Sequence, residues 1–339
     1  MLPDEIIKQI PAEPKAREDW SRKNFKRIII SPKLVLSGVV KNQILRRFVD
    51  LPKLFDLLNN KRLVLPRLKQ LIKGDPFECF CQKNYDHLNR PELEKLAKQH
   101  EIYAPSEAKG TIYPPEITNI WVKIGLQGKP LFDDQIQKMP LQDLKRAVWY
   151  LERERLKNEL VCCCWYKGTS ESDAMWKIYA SQLGVFISSS ADRMESAMKL
   201  MTPKIYASQT QLKLAAVHYD NTDACKNQEP WLIKRKAFVH EKEVRLFCDV
   251  PFVFGEQFEI GVDIQKFIKE IVITPFAAPW QVSGIKGAIE TLLKNAGASK
   301  IPVRQSSHMN PPEINWPSER KTSDGNLVEA LRPLIGSLK

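Results

Sequence analysis

Short apolar segments of strand length recur along the chain without a regular alternation with helices. Segments rich in β-branched and aromatic residues lie at 27–36, 44–49, 62–65, 161–165, 184–188, 212–219, 237–239, 243–250 and 268–273. Amphipathic helical patterns separate only some of them, so the order does not suggest repeated βαβ units. This mixed order predicts an α+β fold with a mixed β-sheet at its core.

Composition divides the 339-residue chain into three parts. We expect a basic N-terminal arm at 1–40, an α+β core domain at 41–300 with a mainly helical insertion at 85–159, and a tail at 301–339 that carries a short helix. No apolar run approaches the ~20 residues of a membrane span. The first residues also lack the layout of a secretory signal. We therefore expect a cytoplasmic protein that does not bind membranes.

Seven cysteines are present, and three of them are consecutive: Cys162, Cys163 and Cys164. Neighbouring side chains of a strand point to opposite faces, so these three thiols cannot easily share one metal ion. We interpret them as buried thiols of a strand and expect no metal site.

The net charge points to polyanionic partners. Lysine and arginine total 52 against 40 acidic residues, which gives +12, and such a field attracts nucleic acid without selecting a sequence. A merely solvated basic surface is the alternative. Part of the excess lies in an N-terminal cluster, which Trp20 and Phe25 interrupt: Lys15, Arg17, Arg22, Lys23, Lys26 and Arg27.

Two short motifs supply further candidates for a pocket. In the motif at 75–78, a proline turn brings Asp75 and Glu78 together, although a purely structural turn would need the same residues. At 175–179, Trp176 and Tyr179 share one helical face with Met175. Such a face is either core or a platform for a planar ring, and the hydroxyl-rich turn at 165–170 precedes it.

The segment 241–247 predicts a strand with a polar and an apolar face. Alternation places Glu241, Glu243 and Arg245 on one face, while Val244 and Leu246 occupy the other. The apolar side fixes the register, so the charged side would line a cleft. A basic rim suited to anions precedes this strand: Lys234, Arg235 and Lys236. The alternative is an exposed ladder of charges on an edge strand.

Five short motifs occur in an order that resembles the bacterial family known as domain of unknown function 2971. The similarity covers residues 45–274, and the helical region 85–159 is longer than the family pattern. The motifs are Asp-Pro-Phe-Glu at 75–78, Met-Trp-x-x-Tyr at 175–179, Gly-Val-x-Ile at 184–187, Val-x-Tyr at 217–219 and Glu-x-Glu-x-Arg at 241–245.

The last motif also resembles the Glu-x-Glu strand of ADP-ribosyltransferases. That resemblance implies a split mixed sheet, NAD as the cofactor and a carboxylate that stabilises the cationic ribose. It implies that Glu243 holds the ribose and that Glu241 orients the acceptor. The remaining NAD-binding candidates are Arg46 or Arg47 for the phosphates, Tyr166 or Tyr179 for nicotinamide, and Arg245 beside the catalytic pair.

The leading hypothesis is thus an ADP-ribosyltransferase-like enzyme, a toxin or phage-defence effector that acts on nucleic acid and that a regulatory or antitoxin protein restrains. A non-catalytic nucleic-acid-binding module, which uses the basic arm, is the first alternative. A metal-dependent nuclease that uses Asp75, Glu78, Glu241 and Glu243 is the second, although no Asp…Glu-x-Lys spacing is present.

Overall fold

The computed structural model describes the parts of the chain that carry its main sheets. The described residues are 23, 27–72, 82–83, 85, 87–99, 139–180, 182–203, 211–219, 224–225, 229–250 and 257–309. The chain divides into two compact units, Met1–Ser306 and Ser307–Lys339, and all elements below belong to the first unit.

An eight-stranded mixed sheet forms the centre of the first unit. Strands at both edges run parallel to their neighbours, and the other pairs are antiparallel. In spatial order the strands are Val303–Gln305, Glu270–Ile273, Val185–Ser189, Leu45–Val49, Leu160–Tyr166, Glu243–Asp249, Leu212–Ala216 and Leu34–Ser37. The α+β prediction with a mixed sheet is confirmed.

The large sheet is weakly joined near its middle. Leu45–Val49 and Leu160–Tyr166 meet through one residue pair, Arg46 with Tyr166. By contrast, Glu243–Asp249 pairs with Leu160–Tyr166 along its whole length. Two groups of strands therefore diverge from this single pair.

A four-stranded antiparallel sheet covers one face of the large sheet. Its strands, in order, are Arg27–Ile30, Met198–Pro203, Gln257–Val262 and Arg62–Pro66. The predicted strand at 27–36 is interrupted at Pro32, and its two halves enter different sheets. Proline cannot donate a ladder hydrogen bond and fixes φ, so the chain can change sheets there.

The main core lies between the two sheets and two helices, Leu51–Asn60 and Pro279–Ala296. Asp50 caps the first helix, because its side chain accepts a hydrogen bond from the Lys53 amide. The other helices are Leu68–Ile72, Arg90–Gln99, Leu141–Glu159, Asp173–Met175, Ala191–Ala197 and Ile264–Phe267. No described helix could cross a membrane.

The described part of the predicted insertion is helical. Arg90–Gln99 packs on Leu141–Glu159 through a small core of its own, to which Leu93, Leu144 and Val148 contribute. Residues 101–138 lie outside the described residues, and so does the predicted C-terminal helix at 327–335.

Two local predictions are wrong. The predicted strand at 237–239 is part of a 3₁₀ helix, Lys236–Glu241. The sequence also predicts a helix at 192–200, but the helix ends at Ala197, and the strand Met198–Pro203 follows at once. Met198 and Leu200 alternate into the main core, so burial in a sheet outweighs the helical preference of this segment.

Candidate functional site

The strand Glu243–Asp249 is an interior strand with two different faces. Val244 and Leu246 are buried in the main core, as the alternation predicts. Glu243 and Arg245 lie on the opposite face, and they too are buried. The edge-strand alternative is therefore wrong, because strands flank this one on both sides.

Glu241 reaches the same region from outside the strand. It ends the 3₁₀ helix, and Lys242 follows in the left-handed region with φ 39°. The prediction that Glu241 continues the alternation of the strand is wrong. The turn at Lys242 instead redirects the chain so that the carboxylates of Glu241 and Glu243 both reach one cation.

That cation is Lys234, which a short parallel ladder positions. Ile233–Lys234 pairs with His218–Tyr219. The Lys234 Nζ lies 2.5 Å from Oε2 of Glu241 and 3.2 Å from Oε2 of Glu243. Together with Arg245 these residues form what we call the carboxylate cluster, which consists of Lys234, Glu241, Glu243 and Arg245.

Arg245 completes the cluster from the sheet side. Its Nε donates to Oε1 of Glu243 at 2.7 Å, and its Nη2 lies 3.3 Å from Oε2. Its Nη1 donates to the Trp231 carbonyl at 2.5 Å. Burial by itself raises the pKa of Glu243, but the charge and hydrogen bonds of Arg245, with Lys234 and the Cys164 thiol, lower that pKa to about 2.

Two tyrosines bind the cluster at different places. The Tyr179 hydroxyl donates to Oε1 of Glu241 at 2.7 Å, while 42% of the residue remains exposed. The Tyr219 hydroxyl accepts from the backbone N–H of Glu243 at 2.7 Å. Burial, and next the hydrogen bond to Glu241, raise the pKa of Tyr179. Burial also raises the pKa of Tyr219. Both phenols therefore stay neutral at physiological pH.

The other two predicted aromatic residues are core residues. Tyr166 is buried, and its ring meets Phe48 edge to face with centroids 5.9 Å apart. Trp176 is fully buried, and its Nε1 donates to Glu171 at 3.0 Å. Of the three candidates, Tyr179 alone offers an exposed ring.

Arg46 and Arg47 point to opposite faces of their strand, and neither joins the cluster. The Arg46 guanidinium binds the backbone of the loop after Tyr166, with Nη1 at 2.5 Å from the Gly168 carbonyl and Nη2 at 3.2 Å from the Thr169 carbonyl. Arg47 is on the side of the main core. Burial raises the pKa of Asp50, but the hydrogen bonds and charge of Lys53, followed by the charge of Arg47, lower that pKa overall.

The predicted basic residues do not form one group in the structure. Lys234 belongs to the carboxylate cluster, whereas Arg235 and Lys236 are exposed. Lys23 is exposed, and Arg27 begins the first strand of the small sheet. The remaining candidates of the arm lie outside the described residues: Lys15, Arg17, Arg22 and Lys26.

Sequence reasoning missed three contributors to the cluster. Cys164 faces Arg245 across the neighbouring strand, and Tyr219 and the Trp231 carbonyl arrive from other segments. Cys164 could have been found from the sequence, because pairing the strand at 160–166 with the strand at 243–249 places Cys164 opposite Arg245. No local pattern indicates the contacts of Tyr219 and Trp231, which depend on tertiary structure.

Within the described residues, no group of three or more His, Cys, Asp or Glu side chains could hold a metal ion. Asp75 and Glu78 lie outside those residues, so the nuclease arrangement stays a hypothesis. No known family model, curated protein or solved structure matches the chain.

Proposed function

We propose that the protein is an ADP-ribosyltransferase-like enzyme that cleaves NAD at the carboxylate cluster. The observation that supports this proposal is the exposed Tyr179 ring, whose hydroxyl is bound to Glu241, one of two carboxylates that share Lys234. An aromatic face beside two buried acids suits a planar ring joined to a sugar that becomes cationic.

Cleavage of the bond between nicotinamide and ribose leaves the bonding electrons on nicotinamide and positive charge on the ribose. An ionised carboxylate in a buried site stabilises that charge more effectively than water does. Glu243 meets this requirement, because its pKa of about 2 keeps it ionised at physiological pH. In this proposal Glu243 supports the cation and Glu241 orients the acceptor, which forms the new bond to the ribose carbon and releases its proton to solvent.

Lys234 is a positioning residue in this scheme. Its ammonium group holds both carboxylates before the substrate enters, and the cationic ribose later takes over part of that interaction. Arg46 is not assigned to the NAD phosphates, because its terminal nitrogens are bound to loop carbonyls. Arg47 is not assigned to them either, since it points to the opposite face of the strand.

The resemblance to domain of unknown function 2971 stays part of the proposal. It implies a fold family and little established chemistry, whereas the hypothesis of a toxin or phage-defence effector, restrained by a regulatory or antitoxin protein, belongs to the ADP-ribosyltransferase-like enzyme. The motifs that carry this family resemblance in the described residues are those at 175–179, 184–187, 217–219 and 241–245.

The first experiment measures nicotinamide release from NAD by the full chain. Tyr179→Ala removes the exposed ring, so we expect the KM for NAD to rise about tenfold, in line with ~1–3 kcal/mol for aromatic stacking on a base. Tyr179→Phe keeps the ring and should retain most of the affinity. Trp280→Ala removes another exposed aromatic residue, on the helix that packs on the main core, and serves as the matched control.

The second experiment tests the carboxylates. Glu243→Gln should lower kcat by ~100–1,000-fold, as loss of comparable electrostatic groups does. Because Glu243 is buried against Arg245, circular dichroism must first show that the variant is folded. Glu241→Gln should reduce transfer to an acceptor more than nicotinamide release. Wild-type protein that releases no nicotinamide with any acceptor would refute the proposal, and a folded, fully active Glu243→Gln variant would refute the site.

A further inference from the structure

The tertiary structure separates the charges of the segment Lys234–Arg245. In the sequence, five cations and two acids alternate there with little order. In the structure Lys234 and Arg245 neutralise Glu241 and Glu243 inside the protein. The other three cations of the segment are exposed: Arg235, Lys236 and Lys242.

An apolar side chain accompanies these cations at the surface. Val239 lies between them in the 3₁₀ helix and is 56% exposed. We call the surface formed by Arg235, Lys236, Lys242 and Val239 the cationic surface.

Phe238 links the cationic surface to the carboxylate cluster. Its partly buried ring lies 4.8 Å from the Lys234 ammonium and 5.2 Å from the Arg235 guanidinium, measured to the ring centroid. Contacts of this kind hold a cation over an aromatic face. The Arg235 side chain is therefore oriented next to the site.

We propose that the cationic surface binds single-stranded nucleic acid, which is the acceptor of the proposed transfer reaction. Charge complementarity supports this occupant, since exposed cations neutralise phosphates while the acids of the segment are buried. The exposed Arg235, whose guanidinium can stack on an unstacked base, favours a single strand over a duplex, whose bases are enclosed. Only the acceptor role rests on the proposed function.

The test measures binding without NAD. Fluorescence anisotropy of a labelled single-stranded oligonucleotide, as DNA and as RNA, and of the matching duplex is recorded at several salt concentrations with the full chain. The variant Arg235→Gln/Lys236→Gln/Lys242→Gln should lower the slope of log K against log salt by about 2, at ~0.7 for each phosphate contact of a single strand.

A charge-matched control separates a site from a general field. Lys286→Gln/Lys294→Gln/Lys300→Gln also removes three exposed cations, from the helix that packs on the main core and the turn after it. The slope of log K against log salt for this control variant should match the slope for wild type. Equal losses in both triple variants would overturn the proposed surface, and so would undetectable binding by wild type at low salt. Tighter binding of the duplex would overturn the preference for a single strand.

Label transfer distinguishes this proposal from the enzymatic one. With labelled NAD, a single-stranded acceptor should become labelled, and the cationic-surface variant should lose labelling while it keeps nicotinamide release. Binding without any nicotinamide release would refute the enzyme and leave the surface in place. Nicotinamide release with no binding of nucleic acid would refute the surface and leave the enzyme.

Discussion

The guanidinium of Arg245 and the carboxylate of Glu243 form a buried ion pair, with Nε and Oε1 2.7 Å apart. Removing Arg245 takes away the nearer of two cations that compensate the buried Glu243 charge and leaves Lys234 at 3.2 Å. We expect Arg245→Met to lower the free energy of unfolding by about 3–5 kcal/mol.

A double-mutant cycle tests that pair more directly. Glu243→Met/Arg245→Met removes both charges, so its loss of stability should be clearly smaller than the sum of the two single losses. Urea denaturation at neutral pH gives all four free energies. Additive losses would show that the ion pair contributes no coupling.

The low pKa of Glu243 predicts how stability depends on pH. Its folded pKa of about 2 lies below the ordinary value of 4.5, so the contribution is complete above about pH 4.5 and is lost as the pH falls toward 2. The difference corresponds to about 3 kcal/mol. Urea denaturation between pH 6 and pH 3 should therefore show a steeper decline for wild type than for Glu243→Gln. Parallel declines would contradict the assignment of this titration to Glu243.

Arg46 should matter for stability and not for substrate affinity. Its guanidinium holds the loop at Gly168, Thr169 and Ser170 through their backbone carbonyls. Because hydrogen bonds to charged groups contribute ~1.5–3 kcal/mol each, Arg46→Met should lower the free energy of unfolding by at least about 2 kcal/mol. Arg47→Met, on the other face of the strand, is the matched control and should cost less. A raised KM for NAD in folded Arg46→Met would instead support its predicted role at the phosphates.

Gly168 is required by the close approach of Tyr166. A Cβ at position 168 would lie 2.0 Å from Cζ and from the hydroxyl oxygen of Tyr166, so Gly168→Ala should destabilise the fold by ~1–3 kcal/mol or more. At Gly287, in the helix Pro279–Ala296, a Cβ would meet nothing within 4 Å. Gly287→Ala should therefore stabilise the protein by ~0.5–1 kcal/mol. Thermal unfolding should show a lower melting temperature for Gly168→Ala and a higher one for Gly287→Ala than for wild type. An unchanged melting temperature of Gly168→Ala would show that the loop can move away from Tyr166.

The sequence alone determined those features that depend on local periodicity. The alternation along 243–250 predicted which side chains of that strand enter the main core, and Val244 and Leu246 do so. The absence of repeated βαβ units predicted the α+β class. Such predictions hold because successive side chains of a strand point to opposite faces wherever the strand lies in the fold.

Tertiary structure decided which charges meet. Lys234 belonged to a basic rim in the sequence, yet it binds two acids because a parallel ladder and the left-handed turn at Lys242 bring them together. Arg46 binds a loop carbonyl 122 residues away. Side-chain identity fixes what a cation can bind, but its partner is selected by strand order and backbone turns, which local sequence patterns do not encode.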